Sequence, residues 1–141
     1  FQIEAPIEVT ESKHIFNIPS GYLIDVETGS AIGELVSPSG DWLEVQSTGT
    51  MNLNIRDTIK MDDGSTILAT ITGRSVPNEV AGPKMEQGLT VTGDEMYFVL
   101  PLLMETNSEK YHRVNDTVFL GKMDELTMPS EKSGMIKYNV Y

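Results

Sequence analysis

Residues 51–74 read MNLNIRDTIKMDDGSTILATITGR, and this stretch decides the fold class. Met51, Leu53, Ile55, Ile59 and Met61 alternate with Asn52, Asn54, Arg56, Thr58 and Lys60, the period of a strand with one buried face. Asp62-Asp63-Gly64 then supplies the glycine that a short hairpin loop demands, and Ser65–Arg74 returns as a second strand. One residue breaks the pattern. Asp57 falls on the apolar face, where a carboxylate is costly unless it is neutralised, paired or hydrogen-bonded. Such a group has a raised pKa suited to proton transfer, and the competing reading is a bulge that lets Asp57 reach solvent or a lysine.

Working outward, the same short-strand pattern continues in both directions. Ile7–Val9, His14–Ile18, Tyr22–Val26, Ala31–Val36 and Trp42–Gln46 precede the hairpin, separated by Pro19-Ser20-Gly21, Thr28-Gly29-Ser30 and Pro38-Ser39-Gly40. Glu95–Thr106, Tyr111–Lys122 and Gly134–Val140 follow it. Between them, Val76–Gly88 carries two prolines and two glycines around Met85, which allows one helical turn and predicts a lid or mouth loop. Eight to ten antiparallel strands without covering helices must close or pack as two sheets to protect their edges. The expectation is one domain over residues 1–141, an all-β, antiparallel up-and-down β-barrel of the calycin or lipocalin kind with an internal apolar cavity.

At 141 residues the chain can bury a sizeable core without staples. It has no cysteine, which removes disulfides, thiolate nucleophiles and Cys-ligated metals, and which fits a reducing, cytoplasmic setting. Ten Lys and Arg against 21 Asp and Glu give a net charge of −11, which repels nucleic acid and anionic membranes alike. The longest apolar run, Met96 to Met104, is far short of the roughly 20 residues of a membrane helix. The sequence opens on Phe1, which leaves room for a further N-terminal segment in the natural chain. His14 and His112 stand in no metal-binding spacing, and neither a Gly-x-Ser-x-Gly elbow nor a glycine-rich phosphate loop occurs. The reading is therefore one of chemistry without a cofactor.

Several patterns, taken in order, resemble a known family: Ser39-Gly40-Asp41-Trp42, then Leu53-Asn54-Ile55-Arg56 running into Asp62-Asp63-Gly64, then Gly73-Arg74. Tyr97-Phe98, Glu105-Thr106, Tyr111 with Asn115, and the closing Ile136-Lys137-Tyr138-Asn139-Val140-Tyr141 continue the series. From about Tyr22 to the end the chain resembles domain-of-unknown-function family 3237, small β-barrel proteins of bacteria and fungi. The resemblance implies an up-and-down barrel with a ligand-sized interior and, for some fungal relatives, cofactor-free cyclase or isomerase activity in specialised metabolism. The chain departs from the pattern at Ser39-Gly40-Asp41-Trp42, one residue shorter than Gly-Gly-x-Asp-Trp, and at Val99 and Arg113, which stand for Arg and Trp. These changes point to a more apolar lining.

On these grounds Glu105 and Asp57 are candidate general acids or bases, and Arg56 is a candidate cation for a substrate oxyanion. Strand alternation faces Arg56 outward and the family pattern faces it inward. Trp42 is a candidate aromatic wall with Asp41 fixing its loop; Tyr97 and Asn115 would polarise or hold oxygen atoms, and Met104 would line the pocket. The expected activity is acid–base isomerisation or cyclisation of a small hydrophobic molecule, such as ring closure by hydroalkoxylation. A non-catalytic carrier is the alternative. Glu95–Thr106 is apolar on both faces, which predicts a covering layer or subunit outside and makes it the candidate face of a homodimer.

Overall fold

The computed structural model describes residues 1–141 as strands β1 (Gln2–Ile3), β2 (Ile7–Thr10), β3 (Lys13–Asn17), β4 (Tyr22–Ile24), β5 (Ala31–Val45), β6 (Met51–Met61), β7 (Thr66–Val76), β8 (Thr90–Thr92), β9 (Tyr97–Thr106), β10 (Val118–Thr127) and β11 (Gly134–Val140), with one short helix, α1 (Ala81–Glu86). All strands belong to one curled antiparallel sheet in the order β1-β11-β10-β9-β7-β6-β5-β3-β2, with β4 on β5 and β8 on β10. The up-and-down succession of neighbours is the architecture that the alternation predicts. β1 joins the two ends of the curl: it pairs with β11, and Gln2 and Glu4 donate to the carbonyls of Ser20 (2.8 Å) and Asn17 (3.0 Å) in the chain leaving β3.

The β6–β7 hairpin forms where expected. Gly64 adopts φ 84°, a conformation that a residue with a Cβ resists, and Ser65 N–H donates to Asp63 (2.9 Å). The turn is clasped from outside by the loop after β9. Tyr111 Oη donates to Asp62 (2.7 Å), Lys110 pairs with the same carboxylate (2.8 Å), and Ser108 donates to Asp63. Gly73 on β7 is required by a close approach, because a Cβ there would run into the Val99 carbonyl and the Leu100 side chain of β9.

Two departures from the expected strands matter for the site. Pro38-Ser39-Gly40 does not separate two strands; it lies inside the single long strand β5 as a bulge against β6. Val36 faces Thr58 and Gly40 faces Arg56, so β5 spends two more residues than β6 across the bulge. An even excess preserves the two-residue period, and odd-numbered residues of β5 face the interior on both sides of it. The Ser39 hydroxyl holds the bulge, donating to the Val36 carbonyl (2.8 Å) and accepting from Thr58 N–H (2.9 Å). In contrast, the bulge between Met123 and Glu125 of β10 adds one residue, and the inward phase switches from Met123 to Leu126. The second departure is at Tyr111, where the chain makes a 3-10 turn over His112–Asp116 before β10 begins at Val118.

The interior is packed by the inward rows of the central strands, among them Ile55, Ile67, Leu100 and Met123. At the Met51 end of β6, α1 folds across the opening. Its Asn78 lead-in accepts from Val80 and Ala81 N–H (both 2.9 Å), and Lys84 pairs with Glu95 before β9. The outer face of β9 carries no covering layer within the chain: Tyr97 and Leu103 are more than half exposed there.

Candidate functional site

Register builds the site. Asp57 on β6 faces Ala69 on β7, which faces Met104 on β9, so the three form one cross-strand row on the concave face. They line a cleft of about 320 Å³ that opens at the end of the barrel away from α1, under β4 and the end of β11. Ile59, Ile71 and Leu102 complete its apolar wall. Asp57 is only 1% exposed, and neither of its oxygens has a hydrogen-bond partner.

Asp41 enters the interior from β5, opposite Ile55 and diagonal to Asp57, because the even bulge keeps it in phase. It lines a smaller pocket, about 50 Å³, towards α1, together with Ser75, Met85 and Phe98. Asn54 N–H donates to its Oδ1 (2.9 Å). Tyr138 of β11 and its neighbour Ile136 line both spaces and stand between them. The electrostatics follow from burial. Asp41 is raised to about 6 by loss of water, against the opposing pull of the Asn54 N–H. Asp57 is raised to about 7, first by burial and then by the negative charge of Asp41. Burial, reinforced by both carboxylates, pushes the Tyr138 hydroxyl well above its ordinary range. The two carboxyls, one at each of the adjoining spaces, are thus harder to ionise than exposed aspartates.

Of the residues singled out from sequence, Asp57, Asp41 and Met104 face the interior. The others do not. Glu105 alternates with Met104 and lies exposed on the outer face of β9, opposite Leu68. Arg56 is exposed on the outer face of β6, as simple alternation predicts and contrary to the family pattern. Trp42 follows Asp41 and so points outward, 47% exposed, into a groove beside β2 and β3. Tyr97 is exposed across from Val76. Asn115 is a structural clamp: its amide accepts from Thr106 N–H (2.9 Å) and donates to the Thr106 carbonyl (3.0 Å). These five therefore lie outside the cleft. Replacing Glu105 with glutamine is expected to leave thermal stability within about 0.5 kcal/mol and ligand handling unchanged, as read by melting temperature and by product formation.

Tyr138 and Ser75 were not singled out. Tyr138 carried a readable signal, since Ile136-Lys137-Tyr138 alternates apolar, charged, aromatic and so places Tyr138 beside Ile136. Ser75, fully buried with an unpartnered hydroxyl, carried none.

The whole chain, residues 1–141, matches the family described as "Protein of unknown function (DUF3237)". The chain belongs to the DUF3237 family. Solved structures similar to this DUF3237 chain include a conserved protein of unknown function from Rhodopseudomonas palustris, 17% identical with a TM-score of 0.80, covering 99% of this chain and 90% of that one. A protein with unknown function from Clostridium acetobutylicum is 21% identical with a TM-score of 0.73, covering 99% and 93%. A β-barrel-like protein from Acinetobacter baumannii AYE is 22% identical with a TM-score of 0.66, covering 100% and 91%. At these identities the likeness is one of fold. No curated protein matches. No helix of this DUF3237 barrel is long and apolar enough to cross a membrane.

Proposed function

We propose that the cleft binds a small, largely apolar molecule and that Asp57 moves a proton on it, making the protein an isomerase or cyclase driven by acid–base chemistry. The observation that carries this reading is the Asp57 carboxyl, buried at the cleft wall with both oxygens unpartnered. A general acid works best when its pKa lies near the working pH, and burial brings Asp57 there. In a ring closure by hydroalkoxylation, Asp57 would give its proton to one alkene carbon while a hydroxyl of the same substrate adds to the next. The π bond and the O–H bond are consumed, C–H and C–O bonds form, and the hydroxyl proton returns to the carboxylate. The negative charge of Asp41 raises that proton's affinity. The apolar wall also favours a second reading, a carrier that holds its ligand by shape and burial alone.

Native mass spectrometry of protein taken from its source extract, with the copurifying molecule identified and then incubated with wild type and with Asp57→Asn, separates the two. Conversion by wild type, with turnover about 10²- to 10⁴-fold slower in a variant that retains the molecule, supports the enzyme. A molecule returned unchanged by both supports the carrier.

A further inference from the structure

The outer wall of the barrel at β9 and β10 lacks the polar exterior that an antiparallel sheet ordinarily turns to water. Leu103 lies opposite Val118 and Pro101 opposite Leu120, and Leu103, Val118 and Leu120 are each more than half exposed. The charge of this wall is also at odds with the chain. In a protein of net charge −11, the outward positions of β6, β7, β9 and Val118–Lys122 carry Arg56, Lys60, Arg74 and Lys122 against one acid, Glu105. The arrangement of these charges follows from register. Arg74 of β7 and Lys122 of β10 both lie opposite Val99, one on each side, and Glu105 stands at the other end of the same outward row of β9. Glu105, Arg74 and Lys122 take no part in the ion pairs within the chain.

We propose that two copies of the chain pair through this wall, about a twofold axis that runs across the strands between Pro101 and Leu103. Such an axis is the one that matches the charges. Val99 and Glu105 are equidistant from it, so each copy's Glu105 comes over the other's Val99, between Arg74 and Lys122. Face-to-face sheets cross at about 30°, which about 10 Å from the axis shifts Glu105 sideways by about one strand spacing, onto one of those two cations. At the axis itself, Pro101 faces Leu103 and Leu120 faces Val118 of the second copy, an apolar centre inside a charged rim. The overall charge favours the same wall. Two chains of −11 repel, and a contact made through an acid-poor surface brings the fewest like charges together. The proposal is independent of the cleft, because every residue in it lies on the face of the sheet opposite Asp57.

Sedimentation equilibrium of the full chain at micromolar concentration, with charge-reversed variants run alone and mixed, tests both the interface and its register. The wild type is expected to have the mass of two chains. Glu105→Lys sets cation against cation, and the double variant Arg74→Glu with Lys122→Glu sets acid against acid, so each alone should associate at least about 100-fold more weakly. An equimolar mixture of the two restores opposite charges at both junctions and should regain the mass of two chains, which also shows that both variants are folded. Leu103→Asn, which adds no charge, should weaken association at least about tenfold through the apolar centre. A wild type with the mass of one chain overturns the proposal. Association undiminished in all the variants places the contact elsewhere and overturns it too, and a mixture of the weakened variants that fails to pair overturns the twofold arrangement.

Discussion

Asp57→Asn is expected to melt higher than the wild type at pH 8 and to lose that advantage by pH 4. The sign follows from the direction of the shift. An aspartate in an unfolded chain titrates near 3.9, and Asp57 in the folded protein titrates at about 7, so between those values the folded state holds the extra proton. Stability from this group is fully present below about 4 and is lost as pH rises towards 7. Over about three pH units the loss approaches 4 kcal/mol. A buried amide with unmet hydrogen bonds costs about 1–3 kcal/mol of its own, so the net gain at pH 8 is about 1–3 kcal/mol, or several degrees in melting temperature for a chain of this size. Asp62 and Asp63 act in a different window. Their hydrogen bonds to Lys110 and Ser108 lower their pKa values, so what they contribute is present above the unfolded value and is lost only on acidification below it. Melting curves between pH 4 and pH 8 check the first window; a wild-type profile that stays flat from pH 5 to 8, with the variant running parallel, contradicts a neutralised carboxyl at position 57.

Ala69→Phe is expected to abolish ligand binding while leaving a folded barrel. Ala69 is 1% exposed and stands between Asp57 and Met104 in the row that lines the cleft, so a ring at this position projects into that cleft. Overpacking costs about 1–3 kcal/mol, within what a domain of ordinary stability tolerates, especially beside open volume. Affinity for any cleft ligand should fall by at least about 100-fold, the scale of a few lost kcal/mol of contact. Titration of the wild-type ligand into the variant, with a circular dichroism spectrum as the control for folding, reads both. Undiminished affinity would move the binding site out of the cleft.

The hairpin and the inward placement of Asp57 were legible because β6 alternates cleanly and only one charge breaks the pattern. β9 was not legible in the same way. Tyr97–Thr106 is apolar on both faces, so hydropathy carries no phase and cannot tell which of the two adjacent candidates, Met104 and Glu105, faces the interior; it is Met104. Arg56 was legible by alternation alone, and the family pattern pulled the reading inward. Asp41 depended on the bulge at Ser37–Ser39, whose parity cannot be read from residue types, since Pro-Ser-Gly also fits a turn between strands. The pairing of Asp41 with Asp57 is therefore a product of register, in which two residues 16 apart in sequence become diagonal neighbours on one face.

The bulge in β5 also imposes a counting rule on the history of the chain. Between Val36 and Gly40 length can change only in steps of two without inverting the rest of β5. Loss of a single residue there would turn Asp41 and Leu43 out to water and bring Trp42 and Glu44 in, replacing a carboxyl that tunes the site with an indole that fills it. Gain or loss of a pair would leave the inner face as it is and alter only the fold of chain opposite Asp57. Even changes of length there resize the wall beside Asp57, whereas an odd one, such as the single residue by which this chain is shorter than the Gly-Gly-x-Asp-Trp pattern, amounts to a change of lining.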